Sequence, residues 1–153
     1  MADPRIFHLL HLSHRAIFRA ADRVLMDRFG ITAGQNAVLL YLSKHEGAMM
    51  GAVAAALGLK NAATSGLVDR MEQKDLVERR PSTSDGRAYE LYLKPYGRDI
   101  AEKSKAIIKA SNDYLLDGLD DGKRDTITNF LETIIERAEN FGSHDLDDEG
   151  QQP

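Results

Sequence analysis

Asn61-Ala-Ala-Thr-Ser-Gly-Leu-Val-Asp-Arg-Met-Glu72, followed by Leu76-Val-Glu-Arg-Arg80 and Arg87-Ala-Tyr-Glu-Leu-Tyr-Leu93, is the stretch on which the fold turns. Over residues 62–74, Thr64, Leu67, Val68 and Met71 recur at three- and four-residue steps. That spacing predicts a helix with one inward stripe, capped by Asn61. From Leu76 the period drops to two. Pro81-Ser-Thr-Ser-Asp-Gly86 is dense in turn formers, and residues 87–93 alternate. Ala88, Glu90 and Tyr92 fall on one face; Tyr89, Leu91 and Leu93 fall on the other. Two short strands around a glycine-containing turn predict a hairpin directly behind the helix.

Working outward, Thr32-Ala-Gly-Gln35 reads as a capping box. It opens a helix over 33–45 with Val38, Leu39 and Leu42 inward, stopping at Gly47. A short alanine-rich helix over 50–57 ends at Gly58, and Gly58-Leu-Lys-Asn61 makes the turn into the next helix. Three short helices and a hairpin is a winged helix-turn-helix order. Two helices brace the third so that its N-terminal face enters a major groove, while the hairpin reaches the backbone or the adjacent minor groove. At the predicted hairpin tip, Asp85-Gly86-Arg87 sets a carboxylate two residues from a guanidinium. Alone, this tripeptide reads as an exposed ion pair in an ordinary turn. After these helices it reads as an arginine held ready for a narrow, strongly negative minor groove.

Long helices flank this region. Asp3 and Pro4 read as cap and first turn of a helix to about residue 28 carrying Ile6, Leu9, Leu10, Ile17, Val24 and Leu25, closed by Gly30. Pro95 opens another helix to about residue 116, and Asp117-Gly118 breaks it. A last helix over 121–141 carries Ile127, Phe130, Leu131, Ile134 and Ile135. The expected class is mainly α (α+β): a single domain over 1–141, with dimerisation helices at 4–29 and 95–141 around a winged region at 32–94. Residues 142–153 are expected to form a disordered acidic tail.

Composition narrows the function. The chain has 153 residues, a formal net charge of −4 and no cysteine, so thiolate metal sites, disulfides and cysteine nucleophiles are excluded. Its longest apolar runs are six residues, far below the ~20 that span a bilayer. His8, His11, His14 and Arg15 interrupt the N-terminal apolar pattern, unlike a signal peptide, and a cytoplasmic, non-membrane protein is expected. Residues 139–153 hold five acids and no Lys or Arg; the rest carries 20 basic against 19 acidic residues. The acidity is thus partly a tail effect, and a local basic surface fits the composition.

No phosphate-binding loop, His-Glu-x-x-His or Gly-x-Ser-x-Gly motif is present, so no enzyme and no cofactor is expected. His8, His11 and His14 at three-residue steps admit a metal reading; without Cys or a placed carboxylate, they read better as lining a dimer surface or an effector cleft. Tyr41, Met49 and Met50 read mainly as core, and Arg15 and Arg19 as rim charges between subunits. The Lys103/Lys105/Lys109 and Glu132/Glu136/Glu139 runs read as solvated helix faces.

The sequence resembles the MarR family of transcriptional regulators. Gly30-Ile-Thr32, Ala52-Val-Ala-Ala-Ala-Leu-Gly58, Ser65-Gly-Leu-Val-Asp-Arg-Met-Glu72, Leu76-Val-Glu-Arg-Arg-Pro81 and Asp85-Gly-Arg87 carry the resemblance, which extends over about residues 6–140. It implies a homodimer built from the terminal helices, binding a near-palindromic operator on double-stranded DNA. It also implies release by a small, often phenolic or aromatic, anionic effector. Three positions depart from the family pattern: Gly66 where a polar residue or Arg is frequent, Asp75 where a helix-ending glycine stands, and Lys94 where a threonine caps the next helix.

The reading is therefore a homodimeric winged-helix repressor. Its DNA contacts are expected from Lys60, Asn61, Ala62, Ala63, Thr64, Ser65, Gly66, Arg70, Arg79, Arg80, Asp85 and Arg87. Base readout falls to Asn61, Ser65 and the alanine methyls, with Arg70 on phosphate. His11, His14, Arg15, Tyr41 and His45 are the candidates for an effector cleft. A winged-helix protein-interaction module and a histidine-based metal-responsive regulator are the alternatives.

Overall fold

The computed structural model describes residues 5–84 and 88–139. The Asp3–Pro4 cap, the Asp85-Gly86-Arg87 motif and the 142–153 tail lie outside the described residues. In chain order the elements are α1 (Ile6–Phe29), α2 (Ala33–Lys44), β1 (Ala48–Met49), α3 (Met50–Ala56), α4 (Asn61–Gln73), β2 (Val77–Pro81), β3 (Tyr89–Leu93), α5 (Pro95–Leu115) and α6 (Asp121–Glu139). They divide into two compact units, one through Ile108 and one from Lys109.

In the first unit, α1 ends where Gly30 adopts a left-handed φ of 66°, its N–H directed at the Leu25 and Met26 carbonyls. The turn into α2 is held three ways. Thr32 Oγ1 accepts from the Gln35 N–H at 3.2 Å, and Gln35 Oε1 accepts from the Thr32 N–H at 3.1 Å, completing the capping box. Asp22 of α1 accepts from the Ala33 N–H at 2.7 Å, satisfying another orphan donor of α2. Lys74, beyond α4, donates to the Gly30 carbonyl at 2.6 Å. The corner of α1 and α2 is thereby tied to the far end of α4.

Beneath it lies one apolar core: Val38, Leu39 and Leu42 of α2, Val53 of α3, Leu67, Val68 and Met71 of α4, Leu76, Val77, Leu91 and Leu93 of the sheet region, and Ile100 and Ala101 of α5. Val38, Leu39, Leu42, Leu67, Val68, Met71, Leu91 and Leu93 among them are the periodic positions of the sequence. Tyr41 and Met50 pack against this core, half-buried. Gly97 allows α5 to start flush against the sheet, since a Cβ there would lie 2.0 Å from the Leu76 carbonyl oxygen.

Two local expectations are corrected. Asn61 does not cap α4; it is the first helical residue, and Lys60 takes the cap position without a side-chain bond. Thr64, one turn in, donates its hydroxyl to the Lys60 carbonyl at 3.2 Å instead. The hairpin also gains a third strand, giving an antiparallel sheet in the order β1-β3-β2. β1 pairs Ala48 with Leu91 and Met49 with Glu90. A two-residue strand carries no period, so sequence pattern cannot reveal it.

The second unit is built around a capped helix. Asp120 accepts from the Lys123 N–H at 2.9 Å, and its carboxylate meets the Lys123 ammonium at 2.8 Å. This bonding to Lys123 holds the Asp120 carboxyl below its ordinary pKa. Arg124 donates to the Leu119 carbonyl at 2.9 Å and the Leu116 carbonyl at 3.2 Å, closing the preceding turn. α6 buries none of its residues, and Ile127, Phe130, Leu131 and Ile135 are exposed.

Candidate nucleic-acid interface

The outward side of α4 begins with Lys60, Asn61, Ala62 and Ala63, all exposed. Ser65 and Gly66 are half-buried, and Arg70 is exposed one turn further on. Side chains of a helix lean toward its N-terminus. Arg70 does so across the bare backbone of Gly66, with Nη1 3.7 Å from where a Cβ on Gly66 would stand. A guanidinium is thus laid over the position where the family pattern often carries a polar side chain. Thr64 is corrected: it is fully buried and bonded to Lys60, so its hydroxyl belongs to the helix start rather than to the outward face.

Arg79 requires the second correction. It points from β2 toward α4, not outward. Its guanidinium meets Asp69 at 2.6 Å, Glu72 at 2.8 Å and the Ser65 carbonyl at 3.2 Å, with the side chain 20% exposed. Glu72 also accepts from the Arg79 backbone N–H at 3.0 Å. An arginine so engaged is not free for phosphate. It fixes the helix to the hairpin and neutralises two carboxylates on the helix, which would otherwise oppose a polyanion. Asp69 and Glu72 were missed in the sequence reading. The signal was there: two acids one turn apart on a helix expected to face phosphates.

Register assigns the two faces of the hairpin. Val77 opposes Leu93, Arg79 opposes Leu91 and Pro81 opposes Tyr89 on the face toward α4. Glu78 opposes Tyr92 and Arg80 opposes Glu90 on the other. Arg80 pairs with Glu78, and its guanidinium carbon lies 4.1 Å from the centroid of the Tyr92 ring. It remains 56% exposed. Asp85 and Arg87 fall outside the described residues. The departures at 75 and 94 prove to be partners. Asp75 takes the left-handed conformation, with φ 60°, and its carboxylate pairs with the Lys94 ammonium. That bond raises the Lys94 pKa above its ordinary value.

Of the effector-cleft candidates, the structure brings Tyr41 and His45 together. Their rings stack with centroids 4.4 Å apart, and His45 Nδ1 lies 3.1 Å from the Tyr41 carbonyl oxygen. His11, His14 and Arg15 stand exposed on α1, His14 against Phe18 at 4.4 Å. Among the described residues, no three His, Asp or Glu side chains gather as a metal site. No described helix is long and apolar enough to cross a membrane.

A helix-turn-helix braced by a core and joined to a hairpin defines a winged-helix fold. The model of the MarR family matches residues 29–88, the segment from the α1–α2 corner to the start of β3. The chain is 27% identical over 135 residues to the protein named as transcriptional regulator for the hcr operon of Thauera aromatica, covering 88% of this chain and 80% of that one. It is 32% identical over 91 residues to the transcriptional repressor MdtR of Bacillus subtilis, covering 58% of this chain and 59% of that one. In structure it resembles MepR of S. aureus, solved with DNA, at a TM-score of 0.83 and 22% identity over 89% of this chain and 99% of that one. Over residues 29–88 the chain thus matches the MarR family, and its fold is that of the winged-helix proteins it resembles.

Proposed function

We propose that the chain is a homodimeric repressor, cytoplasmic, that grips a near-palindromic operator and leaves it when a small aromatic anion binds. The observation that carries this reading is the exposed first turn of α4, clamped to the hairpin through Arg79, Asp69 and Glu72. A rigid helix-and-wing pair has the spacing for a major groove and its flanking minor groove, and half-sites would lie roughly 10–10.5 base pairs apart. Asn61, Ser65 and the methyls of Ala62 and Ala63 would meet base edges. Arg70, drawn over Gly66, joins them as a donor fork for guanine rather than serving phosphate alone. Lys60 and Arg80 are the phosphate contacts that remain once Arg79 is assigned inward, and binding should fall with salt accordingly. Residues 1–141 act as one regulator, with α1, α5 and α6 supplying the contact between copies.

The effector reading rests on Tyr41 and His45, a stacked aromatic pair at the end of α2. The test of the DNA reading is Arg87→Ala in an equilibrium titration with the intergenic DNA upstream of the chain's own gene. Binding should weaken by about 1–3 kcal/mol with the fold unchanged. Affinity equal to that of the unsubstituted protein would remove the wing from the reading.

A further inference from the structure

Three helix ends meet at Lys74. Gly30 closes α1, Thr32 and Gln35 open α2, and Lys74 stands at the C-terminal cap of α4. The Lys74 ammonium donates to the Gly30 carbonyl at 2.6 Å and to Gln35 Oε1 at 3.3 Å. That same Oε1 accepts from the Thr32 N–H at 3.1 Å, so the bond that starts α2 and the bond that reaches α4 share one oxygen. Gln35 is 2% exposed, and Ile31, between Gly30 and the capping box, belongs to the core. The corner is rooted in packed side chains.

From the other side, α1 reaches the same corner through Asp22, which accepts from the Ala33 N–H at 2.7 Å. The charges suit their places. The C-terminal end of α1 carries the negative pole of its helix and receives an ammonium; the N-terminal end of α2 carries a positive pole and receives a carboxylate. α4 itself is a rod of 13 residues, about 20 Å long. Arg79 clamps it to β2 at Ser65, Asp69 and Glu72, and Leu67, Val68 and Met71 bed it in the core. Lys74 adds a hold at the end opposite the exposed turn of residues 60–63.

We propose that Lys74 is a positioning residue for DNA binding: its ammonium, bonded to Gly30 and Gln35, sets the direction of α4 relative to α1. A rod bedded at its middle and held at one end has one direction; released at that end, it rocks about its buried middle. A displacement at Lys74 is then returned, in the opposite sense, at residues 60–63. Hydrogen bonds to base edges hold only over roughly 2.7–3.2 Å, so a small rocking costs contacts there. Lys74 touches no DNA in this scheme, because two protein oxygens engage its ammonium at the far end of the helix. The inference rests on the reading of α4 as the helix that meets DNA.

The test follows binding of the full chain to the same upstream duplex by fluorescence anisotropy over a series of salt concentrations. Lys74→Met, which keeps the length of the stem and removes the donor, should weaken binding about three- to tenfold, the range of one net hydrogen bond. Lys74→Arg, whose guanidinium can still donate to both oxygens, should recover most of it. In Lys74→Met the slope of log affinity against log salt should stay that of the wild-type protein. Lys60→Ala, at a proposed phosphate contact, should lower that slope by about one. Asp22→Ala, which cuts the corner from α1, should also weaken binding. In the Lys74→Met background it should add less than about twofold, because the two ties act as one unit. Thermal melts establish that each variant is folded at the assay temperature, and if Lys74→Met is not, Lys74→Gln takes its place. Wild-type affinity in Lys74→Met, a salt slope reduced as in Lys60→Ala, or fully additive losses with Asp22→Ala would overturn the inference and leave the reading of α4 standing. A wild-type chain without salt-dependent binding to the duplex would remove that reading, and this inference with it.

Discussion

The winged region and the long terminal helices solve the problem of burial in opposite ways. Between Ile31 and Ala101, the apolar periodic positions of α2, α3, α4 and the sheet are buried, many with no exposed surface. The termini of its helices and strands are tied by Thr32, Asp22, Lys74 and Arg79. α1 buries Leu25 alone and leaves Phe7 88% and Phe18 45% exposed; α6 buries nothing and leaves Ile135 66% exposed. One region is complete as a single chain. The other displays the kind of apolar surface that soluble proteins cover with another molecule. Under the proposed homodimer, a second copy supplies that cover.

The sharpest way to break this contrast is to damage each side separately. Leu42→Ala, within the self-contained core, should cost about 2–5 kcal/mol by leaving a cavity under α2. Chemical denaturation at several protein concentrations should register that loss at each of them. Phe130→Glu on α6 should instead leave the winged region folded and dissociate the dimer. Sedimentation velocity reports the change in mass, and operator affinity should drop by about tenfold or more because one half-site must then be held alone. A monomeric wild-type protein that still binds DNA tightly would erase the distinction. The smallest effect lies at the start of α6. The Asp120 pKa is depressed on folding, so its cap contributes stability above the ordinary carboxylate pKa and loses it as pH falls through the lowered value. Far-ultraviolet ellipticity should show a loss in that acidic window for the unsubstituted protein, and a smaller one for Asp120→Asn.

What the sequence discloses follows the range of the interaction. The Thr32/Gln35 box, the inward set of α4 and the alternation of Tyr89–Leu93 are local patterns, and each appears in the structure as expected. β1 escaped because pairing Ala48 with Leu91 is a property of the assembled sheet. Arg79 was misread because its partners lie seven and ten residues back along the chain, brought near by the turn at Asp75. Thr64 carried two incompatible readings, inward by period and outward by position near the helix start; burial decides for the first. Asp75 and Lys94 looked like two separate losses from the family pattern. In the structure they form one pair, a carboxylate on the left-handed residue bonded to the lysine that follows β3.

Gly97 has a mechanical meaning. With no room for even one methyl group between the first turn of α5 and the Leu76 carbonyl, the two backbones meet as a joint without clearance. Such a joint cannot swallow a small tilt of the long helix. A tilt of this first turn would press on the Leu76 carbonyl, one residue before the strand that begins at Val77.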